Sequence, residues 1–226
     1  MDRDTLKHAA AQRAIAEVQD GMVLGLGSGS TAEIAVELLA ARVATGLKVV
    51  GIPTSERTRT LALKLGIPLT GFDAHAHIDL AIDGADQVEH GTLNLIKGLG
   101  GALLREKIVA AAARRLVIVV DHSKLVPKRG GQTPLPVEIA AFGWPSTLDR
   151  LQAAGYRPTL RRADGAPFTS DGGNHIADCA VVTIADPAKL EAELHAVTGV
   201  VETGLFIGMT STVFVGGPQG VEELTP

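Results

Sequence analysis

Four short segments of this 226-residue chain combine glycine with charged or hydroxyl side chains at spacings that suit chemistry on a small anionic ligand. The first is Gly25-Leu26-Gly27-Ser28-Gly29-Ser30-Thr31-Ala32. It joins an apolar run to a helical one, where free backbone N–H groups and the helix dipole favour an anion. The hydroxyls of Ser28, Ser30 and Thr31 add neutral donors, so the loop suits a terminal phosphate. Read alone, it suits a tight βα turn with a Ser/Thr cap equally well. It also satisfies a degenerate G-x-G-x-x-A dinucleotide pattern. However, no acidic residue ends the next apolar run, KVVGIPTS (48–55), where a ribose-binding Asp or Glu belongs. A P-loop is excluded, because no Gly-Lys-Ser/Thr follows.

The second segment is Asp83-Gly84-Ala85-Asp86, whose two carboxylates flank a glycine and can converge on hydroxyl groups of a ligand. An Asp-Gly turn bonding its own backbone is the ordinary alternative. The third runs from Lys97 through Gly98, Leu99, Gly100 and Gly101 to Arg105, Glu106 and Lys107. Here a lysine at the mouth of a glycine turn can neutralise a developing enediolate. A glutamate about one helical turn inside can take a proton from a carbon next to a carbonyl. Taken singly, a glutamate between Arg105 and Lys107 is ordinarily a solvated helix residue. The fourth, Asp121-His122-Ser123-Lys124, brings a further cation to a strand end. Two weaker groupings, His75 with His77 and His175 with Cys179, lack a third metal ligand or the supporting groups of a nucleophilic thiol.

These segments need a frame that brings them to one place. The pattern predicts helices over Thr5–Val18, Thr31–Val43, Ser55–Leu65 and Ala102–Arg114, alternating with strands at Met22–Gly27, Lys48–Ile52, Asp79–Asp83 and Leu116–Val120. That rhythm implies an α/β fold with a doubly wound parallel sheet, whose ligands sit beyond the carboxyl ends of the strands. Lys128–Pro136, with two prolines and two glycines, reads as a connection to a smaller α+β unit with a helix over Pro187–Val197. STVFVGG (211–217) reads as a strand returning to the first unit. Composition agrees, with 46% hydrophobic, 20% charged and only 3% aromatic residues. A net charge of −4 and a pI near 6.0 argue against nucleic acid as a partner. One cysteine cannot form an internal disulfide, and no apolar run approaches the roughly 20 residues that span a bilayer. The expectation is a cytoplasmic protein with no membrane partner.

Taken together, GLGSGSTA, DLAIDGADQVE, IKGLGGALLREK and VDHSK resemble, in order and spacing, the signature set of the type A ribose-5-phosphate isomerases. The resemblance extends through PLPVEI, DGGNHIADC and GVVETGLF and so covers nearly the whole chain. It implies a Rossmann-like domain, residues 1–128 plus 204–226, with a small α+β domain, 129–203, inserted before the last strand. It further implies an aldose–ketose isomerase acting on a five-carbon sugar phosphate, a homo-oligomer (dimer or tetramer), and neither metal nor organic cofactor. Residue by residue, Ser28, Gly29, Ser30 and Thr31 match the phosphate loop, and Asp83, Gly84, Ala85 and Asp86 the carboxylate loop. Lys97, Gly98, Leu99 and Gly100 match the enediolate-side loop. Glu106 matches the catalytic base, with Lys97, Asp83 and Asp86 as its catalytic companions. Lys124 and Lys7 match substrate-contacting lysines. Two departures stand out: Leu99 where the commonest family form has glycine, which predicts a stiffer loop, and His122 in place of a small or acidic residue. A sugar-phosphate sensor on the same fold is the alternative, and it would need neither Glu106 nor Lys97. A nicotinamide oxidoreductase is disfavoured by the missing ribose-binding acid, and a CoA transferase by the lack of its glutamate motif.

Overall fold

The computed structural model describes residues 2–128, 130–131, 133–181 and 184–226. Asp2 accepts a hydrogen bond from the Thr5 N–H at 2.8 Å. That cap starts α1 (Arg3–Ala16) ahead of the predicted Thr5. The alternation then runs through β1 (Val23–Leu26), α2 (Ser30–Ala44), β2 (Val50–Pro53), α3 (Glu56–Lys64) and β3 (Leu80–Asp83). Two short strands, β4 (Gln87–Glu89) and β5 (Leu95–Ile96), precede α4 (Leu103–Ala112) and β6 (Leu116–Asp121). After a 3-10 turn at His122–Lys124 come β7 (Leu125–Val126), β8 (Leu135–Ile139), α5 (Trp144–Ala153) and β9 (Pro158–Leu160). A small hairpin, β10 (Arg162–Ala163) with β11 (Ala166–Pro167), leads to β12 (His175–Cys179), α6 (Pro187–His195) and β13 (Val200–Thr203). The last elements are β14 (Leu205–Phe206), β15 (Thr212–Gly217) and β16 (Gly220–Leu224).

The main sheet has the order β16-β15-β6-β3-β1-β2, parallel throughout except for the antiparallel edge strand β16. Its centre is aliphatic on both faces, as in β6, where every residue is buried. Helix α1 buries Leu6, Ala10 and Ala14 at four-residue spacing, and its alanines let it lie close against the same core as α2. The expected α/β, doubly wound sheet is therefore present. Sequence patterning misses β16, because GVEEL (220–224) is a polar edge strand with no apolar face to read.

A second sheet, β13-β8-β12-β9, is fully antiparallel and is covered by Leu151 of α5 and Leu194 of α6. The predicted connection over Lys128–Pro136 is shorter than expected, since Leu135 and Pro136 already belong to β8; Arg129 and Gln132 lie outside the described residues. A third sheet, β14-β5-β4-β7, joins the other two. In the main sheet the chain passes from β1 outward to β2, and from β3 through β6 to β15 on the other side. The order thus reverses between β1 and β3, the place where open α/β sheets leave a crevice.

Candidate active site

At that reversal the backbones of two loops touch. The Gly27 N–H donates to Ile82 O at 3.0 Å and the Ser28 N–H to Asp83 Oδ1 at 3.1 Å. A Cβ on Gly27 would lie 2.2 Å from Asp83 Oδ1, so only glycine lets the first loop pack against the aspartate that ends β3. Asp83 also accepts from its neighbour, the Gly84 N–H, at 2.7 Å. Lys97, directly after β5, reaches the same spot. Its backbone N–H donates to Gly204 O at 2.9 Å, and its Nζ meets Asp83 Oδ2 at 3.0 Å, Gly84 O at 2.6 Å and Glu106 Oε1 at 3.4 Å. The three ammonium donors thus have three acceptors. The Phe206 ring lies 5.5 Å from Nζ.

These three charges are hidden from water: Asp83 is 4% exposed, Lys97 3% and Glu106 5%. Burial works against the Lys97 charge, but Asp83 and Glu106 beside it prevail and hold the ammonium above its usual range. Burial raises both carboxyls, with Lys97 opposing. The two are not equivalent. Asp83 has three donors, whereas Glu106 Oε2 is buried with no partner among the described residues. Asp83 is therefore the standing anion, and Glu106 is pushed up to about 8 by burial and by the negative Asp83 and Asp86. Glu106 is thus a carboxyl poised to exchange a proton near neutral pH, with one oxygen free.

The other end of the cleft is built differently. Helix α2 begins at Gly29, which has φ +92° and offers no side-chain cap, so the first N–H groups of the helix are left for a ligand. Lys7 of α1 donates to Ser30 Oγ at 3.2 Å, placing a cation beside this loop. Ser28 departs from the expected role. Its hydroxyl is engaged by Thr54, Ser55 and Thr58 at 2.7, 2.7 and 3.2 Å and braces the loop from behind.

A cleft of about 320 Å³ connects the two ends. The structure brings Lys7, Ser28, Gly29, Ser30, Thr31, Gly84, Ala85, Asp86, Lys97, Gly98, Gly100, Glu106 and Lys124 to its walls. Asp83 stands behind Lys97 and does not line it, and the Leu99 side chain, 42% exposed, faces solvent. Leu99 takes part through its backbone, whose N–H donates to Asp86 Oδ2 at 2.9 Å. Gly98 at φ +106° and Gly101 at φ +85° need glycine's freedom in this turn, whereas position 99 has no positive φ, which is why leucine is accommodated between them. His122 is exposed and off the cleft.

Sequence reasoning missed Arg3, Arg57, Phe168 and Asp171, all of which line the cleft. The two arginines sit among ordinary helix charges, and Phe168 and Asp171 arrive from the hairpin side of the second sheet, far along the chain. His75 and His77 are not on the cleft. His175 Nδ1 lies 2.9 Å from Phe168 O, and burial pushes the Cys179 thiol up to about 12, which leaves it inert. Among the described residues, Glu191, His195 and Glu202 could offer ligand atoms to a metal. Lys107 Nζ already pairs with Glu191 and Glu202 at 3.0 and 2.7 Å, and none of the three lines the cleft.

Known proteins resemble this chain in sequence and in fold. The family model for ribose 5-phosphate isomerase A (phosphoriboisomerase A) matches residues 50–220. The ribose-5-phosphate isomerase A of Gloeobacter violaceus is 56% identical over 226 residues, covering 100% of this chain and 98% of that protein. Among solved structures, ribose 5-phosphate isomerase A from Methanocaldococcus jannaschii superposes with a TM-score of 0.94 at 41% identity, covering 99% of both chains. A D-ribose-5-phosphate isomerase in complex with phospho-erythronic acid gives 0.96 at 36% identity over 100% of both chains. With a family model matched over most of its length and relatives similar in sequence and fold from end to end, the chain belongs to the ribose-5-phosphate isomerase A family.

Proposed function

We propose that the cleft binds the open-chain form of a pentose 5-phosphate, with the phosphate at Gly29–Thr31 and the C1–C2 end against Glu106 and Lys97. The chain is an aldose–ketose isomerase that interconverts D-ribose 5-phosphate and D-ribulose 5-phosphate through an enediol(ate). One observation carries this reading: a buried carboxyl with a free oxygen stands beside a buried ammonium fixed by an aspartate. Glu106 takes the C2 proton and returns it to C1. An affinity for protons above that of a surface glutamate makes it the stronger base. Lys97 and backbone N–H groups of the Gly98–Gly101 turn stabilise the negative charge as it reaches the sugar oxygens. Asp83 keeps Lys97 charged and in place. Asp86, on the cleft wall, is the aspartate available to sugar hydroxyls and to the proton that moves when the furanose ring opens. The phosphate end, with Lys7, Lys124, Ser30 and Thr31, grips a part of the substrate that does not react and thereby orients the part that does. A sensor would have no use for buried Glu106 and Lys97, and no observation favours one.

We assign the chain to the non-oxidative pentose phosphate pathway in the cytoplasm, as a homodimer or tetramer. The family likeness and the lone cysteine support this assignment. Among the described residues no helix is long and apolar enough to cross a membrane. We further divide the chain into a catalytic domain, 1–128 plus 204–226, and a small domain, 129–203; the separate antiparallel sheet with α5 and α6 supports that division. The direct test is a coupled assay for ribulose 5-phosphate formation after dialysis against EDTA. Full activity is expected, because the oxyanion is assigned to Lys97 and backbone donors. Activity that vanishes and returns only with a divalent ion would overturn the mechanism.

A further inference from the structure

Arg161, the residue after β9, does not line the cleft, yet it grips the loop that forms one of its walls. Its own backbone is tied on both sides: its N–H donates to Ile176 O at 2.8 Å, and its carbonyl accepts from the Phe168 N–H at 2.9 Å. Nε and Nη2 fork onto the two oxygens of Asp178, at 2.9 and 2.5 Å. The remaining Nη1 donates to Gly98 O and to Leu99 O, both at 3.0 Å. One guanidinium thus joins a carboxylate of the second sheet to two successive carbonyls of the loop after Lys97.

The direction of those carbonyls has a chemical consequence. In a trans peptide the N–H points opposite to the C=O, and no cis peptide bond occurs among the described residues. Holding the carbonyls of Gly98 and Leu99 toward Arg161 turns the N–H groups of Leu99 and Gly100 away from it. The Leu99 N–H meets Asp86 Oδ2 at 2.9 Å. The Gly100 N–H has no partner among the described residues, and Gly100 lines the cleft. The turn closes on itself through the Gly101 N–H, which donates to Gly98 O at 3.0 Å, but its three glycines resist twisting little, and Arg161 adds an external clamp on the Gly98 and Leu99 carbonyls.

We propose that Arg161, oriented by Asp178, is a positioning residue that aims the Gly100 N–H at the oxygen where enediolate charge develops and the Leu99 N–H at Asp86. This inference rests on the reading of the site given above. It requires the planar fork of arginine, since a lysine ammonium cannot hold a carboxylate side-on and two carbonyls at once.

The test compares wild type with Arg161→Met, Arg161→Lys and Asp178→Asn. Each protein is assayed for kcat and KM with ribose 5-phosphate, and for inhibition by two probes. Phospho-erythronic acid carries a planar, charged carboxylate like the enediolate; ribitol 5-phosphate keeps the phosphate but is neutral at the reacting end. We expect Arg161→Met to lower kcat by about 10- to 100-fold with KM within about threefold, as loss of an aimed oxyanion donor requires. Phospho-erythronic acid should weaken by a similar factor while ribitol 5-phosphate changes by less than about threefold. Arg161→Lys should not restore the rate, and a protein combining Arg161→Met with Asp178→Asn should be no slower than Arg161→Met alone. A kcat within about threefold of wild type, or equal weakening of both probes, would overturn the proposal, because simple loosening of the fold spares neither probe. If Arg161→Met does not fold, Asp178→Asn carries the same two-probe comparison. A wild-type protein that binds the two probes equally well would overturn the reading of the site itself, a different outcome from the variants alone failing.

Discussion

The two ends of the cleft handle charge in opposite ways. At the phosphate end the groups are exposed or half-buried: Gly29 and Ser30 face solvent, and the Arg57 side chain is 76% exposed and leans on Glu33. At the reacting end Asp83, Lys97 and Glu106 are all but removed from water, with every donor of Lys97 committed. Exposed cations attract a dianion from a distance, and salt screens them. Buried charges fixed in advance act at short range on a small change in charge, and they need no rearrangement at the moment of reaction. A division of labour follows, in which one end mainly sets affinity and the other mainly sets rate.

The largest expected effect tests the buried end. Glu106→Gln keeps the shape of the side chain but removes the proton acceptor, so kcat should fall by at least about 100-fold, the typical size of a general-base contribution. A variant with a third of wild-type turnover would break the assignment. The pH profile sharpens it. Glu106 must be ionised to accept the C2 proton, and its pKa lies at about 8, so kcat/KM should rise with pH and level off only above that value. An acid limb near the ordinary glutamate range would place the base elsewhere.

Thr31→Val tests the exposed end. Losing one hydroxyl donor to a charged group costs about 1.5–3 kcal/mol, or roughly 10- to 150-fold. The loss should appear more in KM than in kcat, and the preference for ribose 5-phosphate over free ribose should shrink. An unchanged preference would return the Gly25–Ala32 loop to an ordinary βα turn. The smallest effect is that of salt. Going from 0.05 to 0.5 M sodium chloride should raise KM by about threefold and leave kcat nearly unmoved. Equal changes in both parameters would remove the contrast between the ends.

Much of this was legible in the sequence because the chemistry sits at strand ends. Glycine-bearing loops after β1 and β3 and the residues after β6 announce themselves locally, and their order along the chain places them together once a doubly wound sheet is inferred. Long-range partners were not legible. Ser28 looked like a phosphate donor because a hydroxyl in such a loop usually is one; that Thr54, Ser55 and Thr58 would claim it depends on how α3 docks. The burial of Glu106 follows from the demands of a base rather than from its neighbours, since Arg105 and Lys107 on either side advertise a solvated face. Arg105 instead reaches Glu56 and Asp171 O, each at 2.9 Å, and Lys107 turns to Glu191 and Glu202. The dipeptides β5 and β14 are too short to carry a periodic signal at all.

That last pair carries a consequence in time rather than in space. The backbone of Lys97 is held by Gly204, whose own N–H is held by Pro136 at 2.7 Å, and Gly204 must be glycine because a Cβ there would lie 2.2 Å from Lys97 O. Gly204 is made more than a hundred residues after Lys97, so a chain still emerging from the ribosome owns its lysine, its aspartate and its glutamate long before it can lock them together. The reacting end can therefore close only after Gly204 has been made, when the strand that leaves the second sheet pairs with β5.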